Sequence, residues 1–303
     1  MKYFLDTEFL EGSQERPLIL KGKLGNWMIG KPKPTIDLIS IGIVAEDGRE
    51  YYAISKEFNL KEAWNRWQHS FNLNAKLNEE VPCKEYWLRE NVLKPVFLEL
   101  LNKDNNFRKE PSFYEKFPNI GTFTNDFKNV YFTYEKLRYL INKYGKTTKQ
   151  IAEEVKDFCI TDYSIAKDDN CNVITWVKET PTILGVIKEM HNPIIIKHSL
   201  PEFYAYYADY DWVAFCWLFG TMNDLPYSFP MYCIDLKQEL DKKIDFIASI
   251  EMLDFNQNFK VVSFEDKLKT VKSMLDYPKQ TNEHNALADA KWNFELYKFL
   301  KQL

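Results

Sequence analysis

The sequence predicts an α/β domain, a mixed sheet with helices on its faces, and three observations lead there. Strand-like runs lie at 2–6, 35–45 and 49–55, and that at 35–45 is rich in β-branched residues. Amphipathic helical patterns recur at 147–159 and from about residue 285 onward. The two kinds of pattern follow one another in the order β-β-β-α…β-α-β…α, which suits a sheet covered by helices.

Taken in order, residues 2–6 (KYFLD) form a very short apolar run that ends abruptly in a charge, the mark of a short buried strand. Residues 35–45 (TIDLISIGIVA) are β-branched and apolar, Glu46-Asp47-Gly48 supplies a turn, and Arg49 to Ser55 reads as the returning strand of a hairpin. Helices are expected at 60–71 and around Trp87–Leu101, where Val92, Val96 and Leu100 recur every four residues. At 147–159, Thr147-Thr148 offers an N-cap ahead of Ile151, Val155 and Phe158. Glu202–Ala208 reads as a strand, Asp211–Phe219 as a helix and Met231–Asp235 as another short strand. The last helix carries Leu287, Ala290, Phe294 and Tyr297 on one stripe. Two stretches interrupt this scheme, 102–146 and 163–198, and both read as insertions into the core. The second holds a turn at Asp168-Asp169-Asn170, the strand-like CNVITWV, a helix start at Thr180-Pro181 and the apolar run Pro193–Ile196. With neither an internal repeat nor a long linker, residues 1–303 are expected to form one domain.

Composition narrows the function classes. Hydrophobic residues make up 45 % and charged residues 28 % of the chain, enough apolar material for a sizeable core. No apolar run approaches the roughly 20 residues that cross a bilayer, so no membrane span is expected. The segment MKYFLDTEFLEG meets Asp6 and Glu8 before a hydrophobic region could form, which argues against a signal peptide. Five scattered cysteines without a CxxC pair point to neither a zinc site nor a disulfide framework, and a reducing cytoplasm is the expected location. A net charge of −4 argues weakly against coating of nucleic acid by charge alone, yet it suits a pocket of carboxylates that holds divalent metals.

The chemistry concentrates in three segments. In an extended strand Asp6 and Glu8 point to the same face, where their charges repel unless a cation lies between them. Such hard oxygen ligands suit magnesium or manganese. A lone D-x-E is weak, its bland reading being solvated acids at a strand end. In YADYDW, the apolar set Ala214, Phe215 and Leu218 lies three, four and seven positions after Asp211. That spacing turns Asp211 to the buried face of its helix, in the first turn, while Asp209 is the better cap. Asp289 sits between Leu287 and Ala290 on the final helix, and His284 falls near that helix's start, where a loop could hold it over a site. A single histidine is more often structural, and His69, His191 and His198 lack comparable carboxylate company.

Together, D-x-E near the N-terminus, Tyr-Asp opening a helix after a strand, and H-x4-D leading the last helix resemble the histidine branch of the DEDD exonuclease superfamily. FLDTEFLEG, IDLISIGIVAEDGREYYAIS, WLRENVL, the IAEEV helix and YYADYDWVAFCWLFG are similar to bacterial cytoplasmic 3′-exoribonucleases related to ribonuclease T that trim polyadenylate. The resemblance covers about 1–101, 147–162 and 202–303. It implies a ribonuclease H-like mixed five-stranded sheet flanked by helices, and 3′-to-5′ release of 5′-mononucleotides from single-stranded RNA, with an adenylate preference among its implications. It also implies two Mg2+ ions about 4 Å apart, replaceable by Mn2+, that clamp the attacking and leaving oxygens. Asp6, Glu8, Asp211 and Asp289 would hold them, Asp6 bridging, and His284 would take a proton from the attacking water. Phe9 and Leu10 would wedge the terminal base, with Trp87 and Arg89 as further contacts, although Trp87 has an equal claim to the core. Residues 102–149 carry ten Lys/Arg against five Asp/Glu and eleven Phe or Tyr, a basic aromatic flank that either guides RNA or packs onto the core. A homodimer is the expectation such relatives raise. The alternatives are a 3′-5′ DNA exonuclease on the same scaffold, which these residues do not distinguish, and an inactive nucleic-acid-binding module.

Overall fold

The structure, a computed structural model, describes residues 1–14, 18–22, 25–29, 33–74, 79–104, 132–159, 164–167, 173–176, 200–226, 228–251, 264–274 and 276–303. Its strands in chain order are β1 (Lys2–Gln14), β2 (Leu18–Gly22), β3 (Gly25–Ile29), β4 (Lys33–Ala45), β5 (Glu50–Ile54), β6 (Gln68–Asn74), β7 (Glu79–Glu85), β8 (Ser164–Lys167), β9 (Val173–Trp176), β10 (Glu202–Ala205) and β11 (Ile234–Asp235). Five of them make one mixed sheet in the order β11-β10-β1-β4-β5. β1 runs antiparallel to β4 and parallel to β10, β4 pairs antiparallel with β5, and β10 is parallel to β11. With helices on its faces, this α/β arrangement is a ribonuclease H-like fold.

Alternation along β1 explains where the site lies. Tyr3 and Leu5 point to one face and pack with Ile41, Ile43 and Ala45 beneath the Thr148–Cys159 and Ala208–Phe219 helices. Phe4 points to the other face and packs with Tyr204, Trp292 and Leu296, the last two on the final helix, Ala286–Gln302. Leu10, of the same parity, joins Ile39, Ile54, Val96 and Phe97 in a separate apolar cluster. Asp6 and Glu8 therefore occupy the gap between two hydrophobic clusters on a single sheet face. Just beyond them the β1/β4 register shifts between Glu8 and Phe9, a bulge of the kind that re-aims side chains beside active sites.

Gly42, opposite Asp6 in the register, lets the final helix approach this face closely. A Cβ there would lie 2.3 Å from the Ala286 carbonyl oxygen and 2.4 Å from the Leu287 Cα. Because the obstacle is backbone, Gly42→Ala should shift the start of that helix and cost about 1–3 kcal/mol in urea unfolding. Wild-type stability in that variant would show that the close approach is not needed.

Several sequence expectations need correction. β1 runs to Gln14 rather than ending at Asp6. The helix expected over 60–71 is only Leu60–Asn65, because Arg66 turns extended (φ −64°, ψ 129°) and leads into β6. The next helical stretch opens with a π-helical turn, Arg89–Leu93, before Lys94–Lys103. β10 stops at Ala205, and the 231–235 strand is only Ile234–Asp235. The tail of the first expected insertion is core: Tyr134–Tyr144 is a helix whose Leu137, Leu140 and Ile141 pack with Phe97 and Leu100. In the second, β8 and β9 form a hairpin containing the expected strand, whereas Asp168–Asn170, Thr180-Pro181, Pro193–Ile196 and much of the basic aromatic flank lie outside the described residues. Among the described residues no helix is long and apolar enough to cross a membrane.

Candidate active site

The fold brings the predicted acids together. Carboxylate oxygens of Asp6, Glu8 and Asp289 lie within 4.8 Å of one another. Asp289 reaches this point from the first turn of the final helix, where Asn285 caps by accepting from the Ala288 N–H at 3.0 Å. Its two oxygens are oriented separately: Gln280 Nε2 donates to Oδ1 at 2.7 Å and the His284 N–H to Oδ2 at 2.9 Å. Asp211, buried in the first turn of its helix, accepts at Oδ1 from both the Thr7 N–H (2.8 Å) and the Thr7 Oγ1 (2.6 Å). Thr7 faces away from Asp6 and Glu8, so it fastens the incoming helix to the strand that carries them. Asp209 does not cap that helix. Tyr207 occupies the N-cap position without a side-chain cap bond, and Asp235 Oδ2 accepts from the Ala208 N–H at 3.2 Å.

All four acids line a cavity of about 610 Å³, together with His284, Gln280, Trp87 and Phe9. Burial pushes Asp6 well above the usual carboxylate range, and the neighbouring charges of Asp211, Glu8 and Asp289 push the same way. Glu8 rises to about 8 through burial, then Asp289 and Asp211. Asp211 rises to about 7 through burial, against the two Thr7 bonds that favour its charged form. Asp289 is raised by burial and partly restrained by Gln280 and His284. A cluster of hard oxygens that resists ionisation for want of positive charge fits divalent cations such as magnesium.

The sign of the pH effect follows from these shifts. An acid whose folded pKa is raised stabilises the fold below its unfolded pKa, and that contribution is lost as pH climbs through the folded value. For Glu8 and Asp211 the window runs from ordinary values of 4.5 and 3.8 up to about 8 and about 7. Protein stripped with EDTA should therefore melt at lower temperature at pH 8.5 than at pH 5, and added Mg2+ should recover more at the higher pH. A magnesium response independent of pH would contradict this electrostatic picture.

His284 sits on the loop before the final helix with φ +66° and places its ring edge-on to Trp87, centroids 4.7 Å apart. Trp292 Nε1 ties that loop down through the Pro278 carbonyl at 3.0 Å. Trp87, which competed between core and site, lines the cavity. Phe9 lines it too, its ring 5.6 Å from that of Tyr210. Two proposed contacts lie elsewhere. Leu10 has no exposed surface and belongs to the core. Arg89 donates to the Trp64 carbonyl at 2.9 Å and lies over the Trp64 and Tyr86 rings, away from the cavity lining. In the basic flank, Lys143 pairs with buried Asp104 at 2.8 Å and Lys146 with Glu154, so both serve the fold. Thr7, Gln280 and Asn293 were missed. Asn293 carried a signal, lying one turn after Asp289, and its Nδ2 holds the Leu5 carbonyl at 2.9 Å.

A ribonuclease H-like sheet with acids converging on its central strand defines the structural class of this protein. No family model matches the sequence. Over 63 residues the chain is 46 % identical to the 3′-5′ exoribonuclease MT2234.1 of Mycobacterium tuberculosis strain CDC 1551 / Oshkosh. It is equally similar to the 3′-5′ exoribonuclease Rv2179c of Mycobacterium tuberculosis strain ATCC 25618 / H37Rv. The stretch is 21 % of this chain and 26 % of each relative, so the match spans about a quarter of their length.

Proposed function

We propose that this protein is a metal-dependent 3′-5′ exoribonuclease that releases 5′-mononucleotides from the 3′ ends of single-stranded RNA. The observation that carries the reading is the convergence of Asp6, Glu8 and Asp289 oxygens within 4.8 Å in a cavity shared with Asp211 and His284. The partial likeness to two proteins named 3′-5′ exoribonucleases supports the direction of attack and the sugar.

Asp6, Glu8, Asp211 and Asp289 would hold two magnesium ions. Bound there, the ions would supply the charge that stabilises the attacking and leaving oxygens. Thr7 and Gln280 keep Asp211 and Asp289 in fixed rotamers, so the ligand set is formed before substrate arrives. His284 would accept a proton from the attacking water, a role suited to imidazole near neutral pH. The aromatic walls would stack the terminal bases and account for a preference among them, adenylate included.

Digestion of matched RNA and DNA oligonucleotides, each with magnesium and with EDTA, tests this directly. Shortening of RNA from the 3′ end with magnesium alone is expected. Faster loss of DNA would transfer the site to deoxyribonucleotides, and binding without nucleotide release would make the fold a binding module.

A further inference from the structure

The cavity wall is acidic. Among the described residues, its lining holds six Asp or Glu against a single Lys or Arg, Arg66. Arg66 is already engaged, donating to the Glu11 carbonyl and to Glu62. Four of those acids are the ones proposed to hold magnesium, whose charge the terminal phosphate would meet. Beyond the metals the described lining offers a polyanionic strand little attraction, so neutral contacts must supply much of its hold.

Tyr207 and Trp67 are two of the exposed aromatic rings in the lining, and both are held in fixed poses. Tyr207 is 63 % exposed, and its backbone is left-handed at φ +56°, which is costly for a bulky residue that gains little from burial. Its ring meets Tyr206 edge-on at 4.8 Å, and Tyr206 in turn meets Trp292 at 5.0 Å. Trp67 is 41 % exposed and stands between the Leu60–Asn65 helix and β6. The His69 ring meets it edge-on at 4.9 Å, and Lys84 Nζ lies 4.3 Å from its centroid. Strain at an exposed aromatic, and rings fixed by neighbours before any ligand binds, are features of a preformed stacking surface.

Resting on the function proposed above, we propose that Tyr207 and Trp67 are base-stacking residues that hold the 3′-terminal segment of a single strand in the cavity. Each ring offers a π-face to any base, worth about 1–3 kcal/mol per base, or roughly five- to 150-fold in affinity. The contact does not depend on the charge of the cavity wall.

The test is the steady-state KM for a 5′-labelled single-stranded oligoadenylate in magnesium, with thermal melts of every variant. Tyr207→Ala and Trp67→Ala should each raise KM about tenfold, while Tyr207→Phe and Trp67→Phe stay near wild type. Tyr207→Gly separates stacking from folding, because it removes the ring and relieves the left-handed strain together. It should melt no lower than wild type while its KM rises as in Tyr207→Ala. Wild-type KM in the alanine variants, or phenylalanine variants as impaired as alanine, would overturn the stacking role alone. A wild-type protein that releases no nucleotide from any single strand would instead remove the proposed function, and this inference with it.

Discussion

Asp6→Asn is expected to lower nucleotide release on the order of 10³-fold, the scale on which losing a preorganised electrostatic group slows an enzyme. Asp6 lies on the central strand, its carboxylate beside those of Glu8 and Asp289 and within the field of Asp211. The substitution keeps the side chain's shape and removes one charge from the middle of the cluster. Metal-free protein should then become more stable at pH 8, since the carboxyl that burial and the charges of Asp211, Glu8 and Asp289 hold against ionisation is gone. Loss of turnover with a raised melting temperature distinguishes a missing ligand from a damaged fold. Retained turnover would exclude Asp6 from the chemistry.

Replacing His284 should be the next most severe change, a reduction of roughly 10²-fold or more under single-turnover conditions. The stabilisation conferred by magnesium should persist, because the bond from this residue to Asp289 comes from the backbone N–H and survives in His284→Ala. The left-handed backbone at this position could add strain in the alanine variant. His284→Asn is therefore the companion, since asparagine tolerates that conformation but is not a base at neutral pH. Wild-type single-turnover rates in both variants would mean that another group takes the proton.

What was legible in the sequence was mainly local periodicity. The two-residue repeat of a strand put Asp6 and Glu8 on one face, and apolar residues three, four and seven positions on turned Asp211 inward. What was not legible depended on partners distant in sequence. Asp209 looked like the cap of its helix, but the Ala208 N–H is met by Asp235, 27 residues later. Gln280 orients Asp289 from a loop whose sequence has no periodicity to read. Leu10 shares the face of Asp6 and Glu8, and only the packing of Val96 and Phe97 over that end makes its position core rather than cavity. Trp67 fell inside an expected helix because the apolar pattern does not show that Arg66 turns extended.

The most direct test of the account is chromatography of the products formed from homopolymeric RNA with magnesium, with Asp6→Asn as control. The account predicts 5′-mononucleotides from the earliest time points, most rapidly from polyadenylate, and none from the control. Oligonucleotide fragments, 3′-phosphorylated products, or undiminished release by Asp6→Asn would contradict it.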